Sequence, residues 1–453
     1  MRPLAALEAL PFPDLEEAVV FAEWGRLRAV SSRSLGRTRQ LMRVLRYDPG
    51  LVQHPVIGVV GSKGKGTASA YASAALAGLG HHVGTVMSPG ILSNADRIRI
   101  DGRVVEESTR RRALLRLEEA RRKLPEATAE SGYLAPTGLF LLMGMLIFEE
   151  AGTEAAVVEA GIGGASDDLS HWPLDGVVLT RVFGEHLDLL GPTVADVARD
   201  KTGVISERTR FCVSLAQSDD AEEAVRQAGA ATTLLRVSSE ARSLVCHLPS
   251  GFQRENAAAG VTAALQLSRG ILGHEDASSP PMMREGGKDE PESTIRGEAL
   301  PALLRSVSYP GRLSVHDVPG GRCVIDSAVS GEGLASGLDF ARGELGDVDQ
   351  VLVCLPPGKD LEGFTRTLGP FGGERRFVEL PGAYTGTPDR EAWRWEWVRL
   401  EDLGEAVHEA PGSAQLQEIL RGRRTLLAGT VLFTSLALRT LGADVGRLFP
   451  SPR

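Results

Sequence analysis

The chain has 453 residues, 42% hydrophobic and 24% charged, so it is too long for one ordinary core and predicts two or three globular domains. A formal net charge of −9 argues against a general nucleic-acid binder, whose affinity needs clustered Lys and Arg, but leaves room for a local nucleotide site. Cys212, Cys246, Cys323 and Cys354 are scattered without a Cys-x-x-Cys pair, and no apolar run approaches the ~20 residues of a membrane span. The expectation is a soluble, cytoplasmic protein with reduced thiols and no membrane partner.

Val56–Val60 reads as a buried strand, Thr67–Leu79 as an Ala-rich helix and Val83–Met87 as a second strand. Arg97–Val105 alternates around Asp101-Gly102, a hairpin pair that tolerates positive φ. Thr137–Glu150 is an apolar helix, Ala155–Glu159 and Gly176–Thr180 are strands, and Thr193–Ser206 is helical before a strand at Arg210–Ser214. Alternating strands and helices predict a mostly parallel sheet covered on both faces. Asn256–Leu267 is a further helix. Gly273–Arg296 is then rich in Ser, Pro, Gly and acids, with too little apolar surface to fold. Leu313–Val318, Arg322–Asp326, Gln350–Cys354 and Arg424–Ala428 read as strands of a second α/β domain. The expected organisation is 1–270, a linker or insertion at 271–298, and 299–453.

Gly61-Ser62-Lys63-Gly64-Lys65-Gly66-Thr67 joins the first strand to its helix. Glycines let successive N–H groups turn inward, and the helix N-terminus adds positive dipole, so such a loop cradles phosphates. Lys65 would reach the β- and γ-phosphates of ATP, and the Thr67 hydroxyl would ligate Mg²⁺. Gly66 separates lysine from threonine, unlike the commonest spacing, and a flexible glycine turn with surface lysines is the alternative. Val157-Val-Glu159-Ala-Gly161-Ile-Gly-Gly164-Ala-Ser-Asp167 places a carboxylate at a strand end, where α/β proteins bind ligands. Glu159 is there either a hard oxygen ligand for Mg²⁺ or a group satisfied by glycine amides.

The loop resembles the Gly-Thr-Asn-Gly-Lys-Gly-Ser/Thr loop of the folylpolyglutamate synthase/dihydrofolate synthase family, a branch of the Mur ligases. The Glu159 segment is similar to that family's Glu-x-Gly-Leu-Gly-Gly-x-x-Asp motif. Later segments follow in the family's order, from about residue 32 to 442. The resemblance implies a P-loop Mur-ligase-type ATP-binding α/β domain with a mostly parallel sheet, followed by a smaller Rossmann-like α/β domain. It implies ATP and two Mg²⁺ ions, and a monomer or weak homo-oligomer. By similarity His186, in Glu185-His186-Leu-Asp-Leu-Leu-Gly191, binds the second magnesium, with Glu185 replacing the usual Asp. Lys201, in Arg199-Asp200-Lys201-Thr-Gly203, matches a lysine that many relatives carry as a carbamate, an anionic metal ligand. Asn256, in Gln253-Arg-Glu-Asn256, matches an adenine-region contact, and Arg312, in Pro-Gly311-Arg312-Leu, an arginine that reaches ATP phosphates. Asp326 and Thr430 match further nucleotide-side positions, and Ser88-Pro89-Gly90 lies on the folate side.

Departures concentrate away from the nucleotide. Val329, Ser330 and Gly331 replace the family's His-Asn-Pro, Gly90 replaces a histidine, and Thr137-Gly-Leu-Phe lacks a glutamate. The implied reaction is ATP-dependent activation of a carboxylate as an acyl phosphate, then attack by an amino acid or amine, releasing ADP and phosphate. Three readings are open: a divergent ligase with altered substrates, an authentic folylpolyglutamate/dihydrofolate synthase adding L-glutamate, and a catalytically impaired nucleotide-binding partner protein.

Overall fold

Val56–Val60 has no polar side chain to present to water, and all five of its positions are buried, as in a strand covered on both faces. In the computed structural model, which describes residues 3–276, 292–380, 387–400 and 413–451, this strand lies inside an eight-stranded sheet. Its members are β1 (Val56–Val60), β2 (Val83–Val86), β3 (Ile98–Ile100), β4 (Arg103–Val104), β5 (Ala155–Glu159), β6 (Gly176–Leu179), β7 (Phe211–Ser214) and β8 (Thr233–Leu235). The order is β4-β3-β2-β5-β1-β6-β7-β8. Only the β2–β3 and β3–β4 pairs are antiparallel, the second being the hairpin at Asp101 (φ 46°) and Gly102 (φ 76°). Val59 pairs with Glu159 on one side and Val178 on the other, so the loops after β5, β1 and β6 emerge side by side.

The second sheet runs β13-β12-β11-β14-β10-β9. It comprises β9 (Ser314–Val318), β10 (Gly321–Asp326), β11 (Gln350–Cys354), β12 (Glu374–Glu379), β13 (Glu396–Arg399) and β14 (Arg424–Gly429), parallel except for β9. Its two faces carry separate apolar layers, one around Leu427 and Phe433, the other around Val351 and Phe364. The expected strands are all present. β8, β12 and β13 escape sequence reading because β8 is three residues long and the other two are rich in Arg and Glu.

The two compact units are not divided where composition suggests. The first contains Met1–Gly90, Ala95–Val307 and Gly446–Arg453, the second Ile91–Asn94 and Ser308–Val445. Both ends of the expected linker are helical, within Phe252–Asp276 and Glu292–Arg305, and residues 277–291 lie outside the described ones. Leu300 of the latter helix packs so closely on the phosphate-loop helix that a Cβ at Gly78 would stand 3.0 Å from its side chain. The end of the chain likewise returns to the first unit, where the Leu448 amide donates to the Gly102 carbonyl at 2.8 Å.

One buried acid is only weakly compensated. Asp168 is 1% exposed beside Gly138 in the first turn of the Pro136–Ala151 helix, with Thr38 nearby and His171 Nε2 no closer than 3.9 Å to Oδ1. Burial, and then the charge of Asp167, pushes its pKa from 3.8 up to about 7. A raised acid favours the protonated folded state, so its stabilising contribution is complete below pH 4 and is lost as pH rises through 7. Asp168→Asn is therefore expected to be more stable than the parent at pH 8 by about 1–3 kcal/mol, with the gap closing towards pH 4, read by urea unfolding at both pH values.

Candidate active site

β1 must hand over to the Lys65–Gly78 helix within four residues, and Gly61 (φ 135°) and Gly64 (φ 92°) make that turn in the left-handed region. Neither position has room for a side chain. A Cβ on Gly61 would lie 2.0 Å from Thr180 Oγ1, and one on Gly64 2.3 Å from the Asn256 amide carbon. The loop is braced by groups from the loop after β6 and by its own lysine. Ser62 Oγ donates to the Phe183 carbonyl and accepts from the Phe183 amide, both at 3.1 Å, and Lys65 Nζ donates to the Gly61 carbonyl at 3.0 Å. Lys63 Nζ stands 5.7 Å from the Phe252 ring centre, and Gly66 and Thr67 are buried in the first turn of the helix.

Asn256 is fully buried against Gly64. Its amide nitrogen donates to the Phe252 carbonyl at 2.6 Å, while Oδ1 has no protein partner. Buried acceptors are normally satisfied, so this one suits a ligand N–H beside the phosphate loop.

Glu159, the last residue of β5, is 6% exposed and accepts from the Ser88 amide at 3.1 Å. Arg97 donates to Ser88 Oγ at 3.2 Å with its guanidinium 4.7 Å from the Phe140 ring centre. The expected acceptor-side segment Ser88-Pro89-Gly90 therefore starts directly on the candidate metal carboxylate. Arg97 is a member of this site that motif order alone did not single out.

After β6, His186 is half-buried with φ 49°, and its carbonyl accepts from the Leu189 and Leu190 amides. Lys201, 1% exposed, donates to the Gly61 carbonyl at 3.0 Å and to Glu185 Oε1 at 2.9 Å. Burial, helped by the charge of Lys65 and opposed by Glu185, lowers the Lys201 pKa. Among the described residues no group of three or more His, Cys, Asp or Glu could by itself hold a metal ion. Magnesium commonly takes one or two protein oxygens with phosphate and water, so Glu159 and the Thr67 hydroxyl fit it, but only together with a bound phosphate.

Within the second unit Arg312, Asp326 and Thr430 lie at the same end of the sheet, by the C-terminal ends of β10 and β14. Asp326, at the end of β10, accepts from the Leu313 amide at 3.2 Å, and Arg312 donates to the Gly311 carbonyl with its guanidinium 5.4 Å from the Tyr309 ring centre. Thr430 follows β14 and caps the Val431–Thr440 helix. The departed loop is internally complete. Ser330 caps the Gly331–Leu345 helix, and the Gly331 amide, which a proline would lack, donates to Asp360 Oδ2 at 2.8 Å. The other Asp360 oxygen accepts from the Gly363 amide, and a Cβ on Gly331 would lie 2.8 Å from the Gly363 backbone.

An eight-stranded, mostly parallel sheet with a braced phosphate loop, followed by a smaller mostly parallel sheet, is the fold of the Mur-ligase-type ATP-binding proteins. A Mycobacterium tuberculosis folylpolyglutamate synthase complexed with ADP superposes with a TM-score of 0.72 at 22% identity, over 95% of this chain and 99% of that one. Escherichia coli FolC in complex with DHPP and ADP gives 0.71 at 18%, over 96% and 99%. In sequence, the dihydrofolate synthase/folylpolyglutamate synthase of Bacillus subtilis is 25% identical over 318 residues, 64% of this chain and 68% of that protein. A probable bifunctional folylpolyglutamate synthase/dihydropteroate synthase of Haloferax volcanii is 27% identical over 283 residues, 57% of this chain. The chain spans about a third of the length of the first curated relatives, 30% for the Haloferax protein. No family model matches the chain. In sequence and fold the chain is similar to folylpolyglutamate synthase/dihydrofolate synthase proteins, at low identity.

Two substitutions check these packings. Gly64→Ala should cost about 1–3 kcal/mol in urea unfolding, and Asn256→Ala in the same chain should recover part of that loss by removing the clash, leaving the φ strain. Gly331→Pro, although it restores the family's residue, should destabilise the second unit by about 2–4 kcal/mol because it removes the bond to Asp360 and meets the Gly363 backbone.

Proposed function

We propose that the chain is an ATP-dependent carboxylate–amine ligase, releasing ADP and phosphate. The observation that carries this reading is the meeting of the loops after β5, β1 and β6 on Gly61 and Glu159, with Lys65 and Lys201 both donating to the Gly61 carbonyl. The loop amides and Lys65 would hold the phosphates, and Asn256 Oδ1 would accept from the base. Glu159, Thr67, His186 and, in carbamate form, Lys201 would hold magnesium, which supplies charge neutralisation on the phosphoryl oxygens when bound. Arg312, Asp326 and Thr430 are the second unit's candidates for nucleotide contact. A substrate carboxylate held near Ser88 attacks the γ-phosphorus, and the bond from that phosphorus to the bridging oxygen of ADP breaks. The amine then attacks the acyl carbon of the resulting acyl phosphate, the C–N bond forms, the bond from that carbon to the phosphorylated oxygen breaks to release phosphate, and the nitrogen gives up one proton to solvent. The work required of the protein is to align two anions that repel each other, which cationic Lys65 and the loop dipoles do.

The identity of the acceptor divides two versions. Addition of L-glutamate to a pteroate or folylglutamate is supported by relatives described as dihydrofolate synthase/folylpolyglutamate synthase and by a neighbour complexed with folate. Altered substrates are supported by Gly90 and by the Val329–Gly331 loop. The sealed packing of that loop on Asp360 speaks against a decayed, non-catalytic partner protein. A panel of pteroates, other carboxylates and amino acids, read by mass spectrometry, separates the versions: efficient glutamate addition to a pteroate rejects altered substrates. Lys65→Ala should lower ADP formation at least ~100-fold with an unchanged circular dichroism spectrum. Near-normal turnover in that variant would overturn the mechanism.

A further inference from the structure

Asp200 and Lys201 are consecutive in the Val194–Thr202 helix, yet they take hold of different loops. Asp200 is the acceptor for three successive residues after β5. Its Oδ1 accepts from the Gly164 amide at 2.7 Å and the Ser166 hydroxyl at 3.0 Å, and its backbone carbonyl accepts from the Ala165 amide at 2.7 Å. The approach leaves no slack, since a Cβ on Gly164 would lie 2.4 Å from the Lys201 carbonyl oxygen. Arg33 closes the other side of the segment, donating at 2.9 Å to the Ile162 carbonyl and to Ser166 Oγ. Lys201 meanwhile holds the Gly61 carbonyl and Glu185.

We infer that Asp200 is a positioning residue for the ligase proposed above. It fixes the Gly161–Ser166 segment, and through it Glu159, while its neighbour fixes the phosphate loop. One helical turn thereby sets the spacing between the nucleotide cradle and the carboxylate. Adjacent strands fix that spacing only up to their last paired residues, and the loops beyond need a common anchor. A carboxylate accepting amide bonds is a strong one. Groups that orient metal ligands from behind typically matter 10–100-fold in metal affinity or activity.

The inference rests on the ligase reading for its catalytic half, and the test separates the two. In full-length Asp200→Ala, hydrogen exchange at the Gly164 and Ala165 amides, measured without nucleotide, should quicken about tenfold or more while β1 remains protected. The Mg²⁺ concentration giving half-maximal binding of a fluorescent ATP analogue should rise about tenfold, with metal-free affinity changed less than about twofold. Asp200→Asn keeps an acceptor at Oδ1 and should restore both within about threefold. Ser166→Ala removes one donor, provides a milder variant if Asp200→Ala folds poorly, and should show the same Mg²⁺ shift at about threefold. Unchanged exchange and Mg²⁺ dependence in both Asp200→Ala and Ser166→Ala overturn the inference. So does an equal loss of affinity with and without Mg²⁺. A parent protein that binds no nucleotide refutes the ligase reading and the catalytic half with it, while the exchange comparison still decides the brace.

Discussion

A buried ammonium sits between two loops. Lys201 is almost fully enclosed, and its charge is tolerable only because the Gly61 carbonyl and the Glu185 carboxylate both accept from it. Removing either acceptor would leave an uncompensated charge in a poorly solvated place, commonly a loss of about 3–5 kcal/mol. The lysine thus ties the phosphate loop to the loop after β6, and the conformation of Gly61 depends on that bond. Glycine at 61 follows, since the Thr180 hydroxyl occupies the space a side chain would need.

The same economy of space runs through the acidic side of the site. Gly164 is a glycine because the backbone of the Val194–Thr202 helix lies against it, and Gly64 because Asn256 does. The first contact is between backbone and backbone and cannot relax by a change of rotamer, and the second is with a side-chain amide that burial and its bond to the Phe252 carbonyl hold in place. Glu159 inherits its position from them and from the Ser88 amide. Rigid placement of this kind suits a reaction whose difficulty is bringing two anions together.

The departed loop of the second unit shows how a motif can change without decay. Replacing a proline by Gly331 exposes an amide, and Asp360 receives it while also capping its own helix through Gly363. Val329 packs on the neighbouring apolar layer, as an isopropyl group in place of an imidazole would. An isopropyl group brings no hydrogen-bonding capacity to the loop, and the polar groups beside it bond within the unit.

Much of this was legible in the residues. Fully apolar runs such as Val56–Val60 declare buried strands, and the Gly61–Thr67 loop, Glu159 and Lys201 point to a nucleotide site through residue types that suit such chemistry in that order. Short or charged strands such as β8 and β12 were not legible, because their apolar signal is weak without neighbours. Nor were the roles of Asp200, Arg33 and Arg97, whose partners lie 36, 129 and 9 residues away along the chain. The phosphate loop could be recognised from its own seven residues, since glycine freedom and a helix start are local properties. What packs against it, Thr180, Asn256 and Lys201, was not legible there, because tertiary packing brings these residues to it from distant segments.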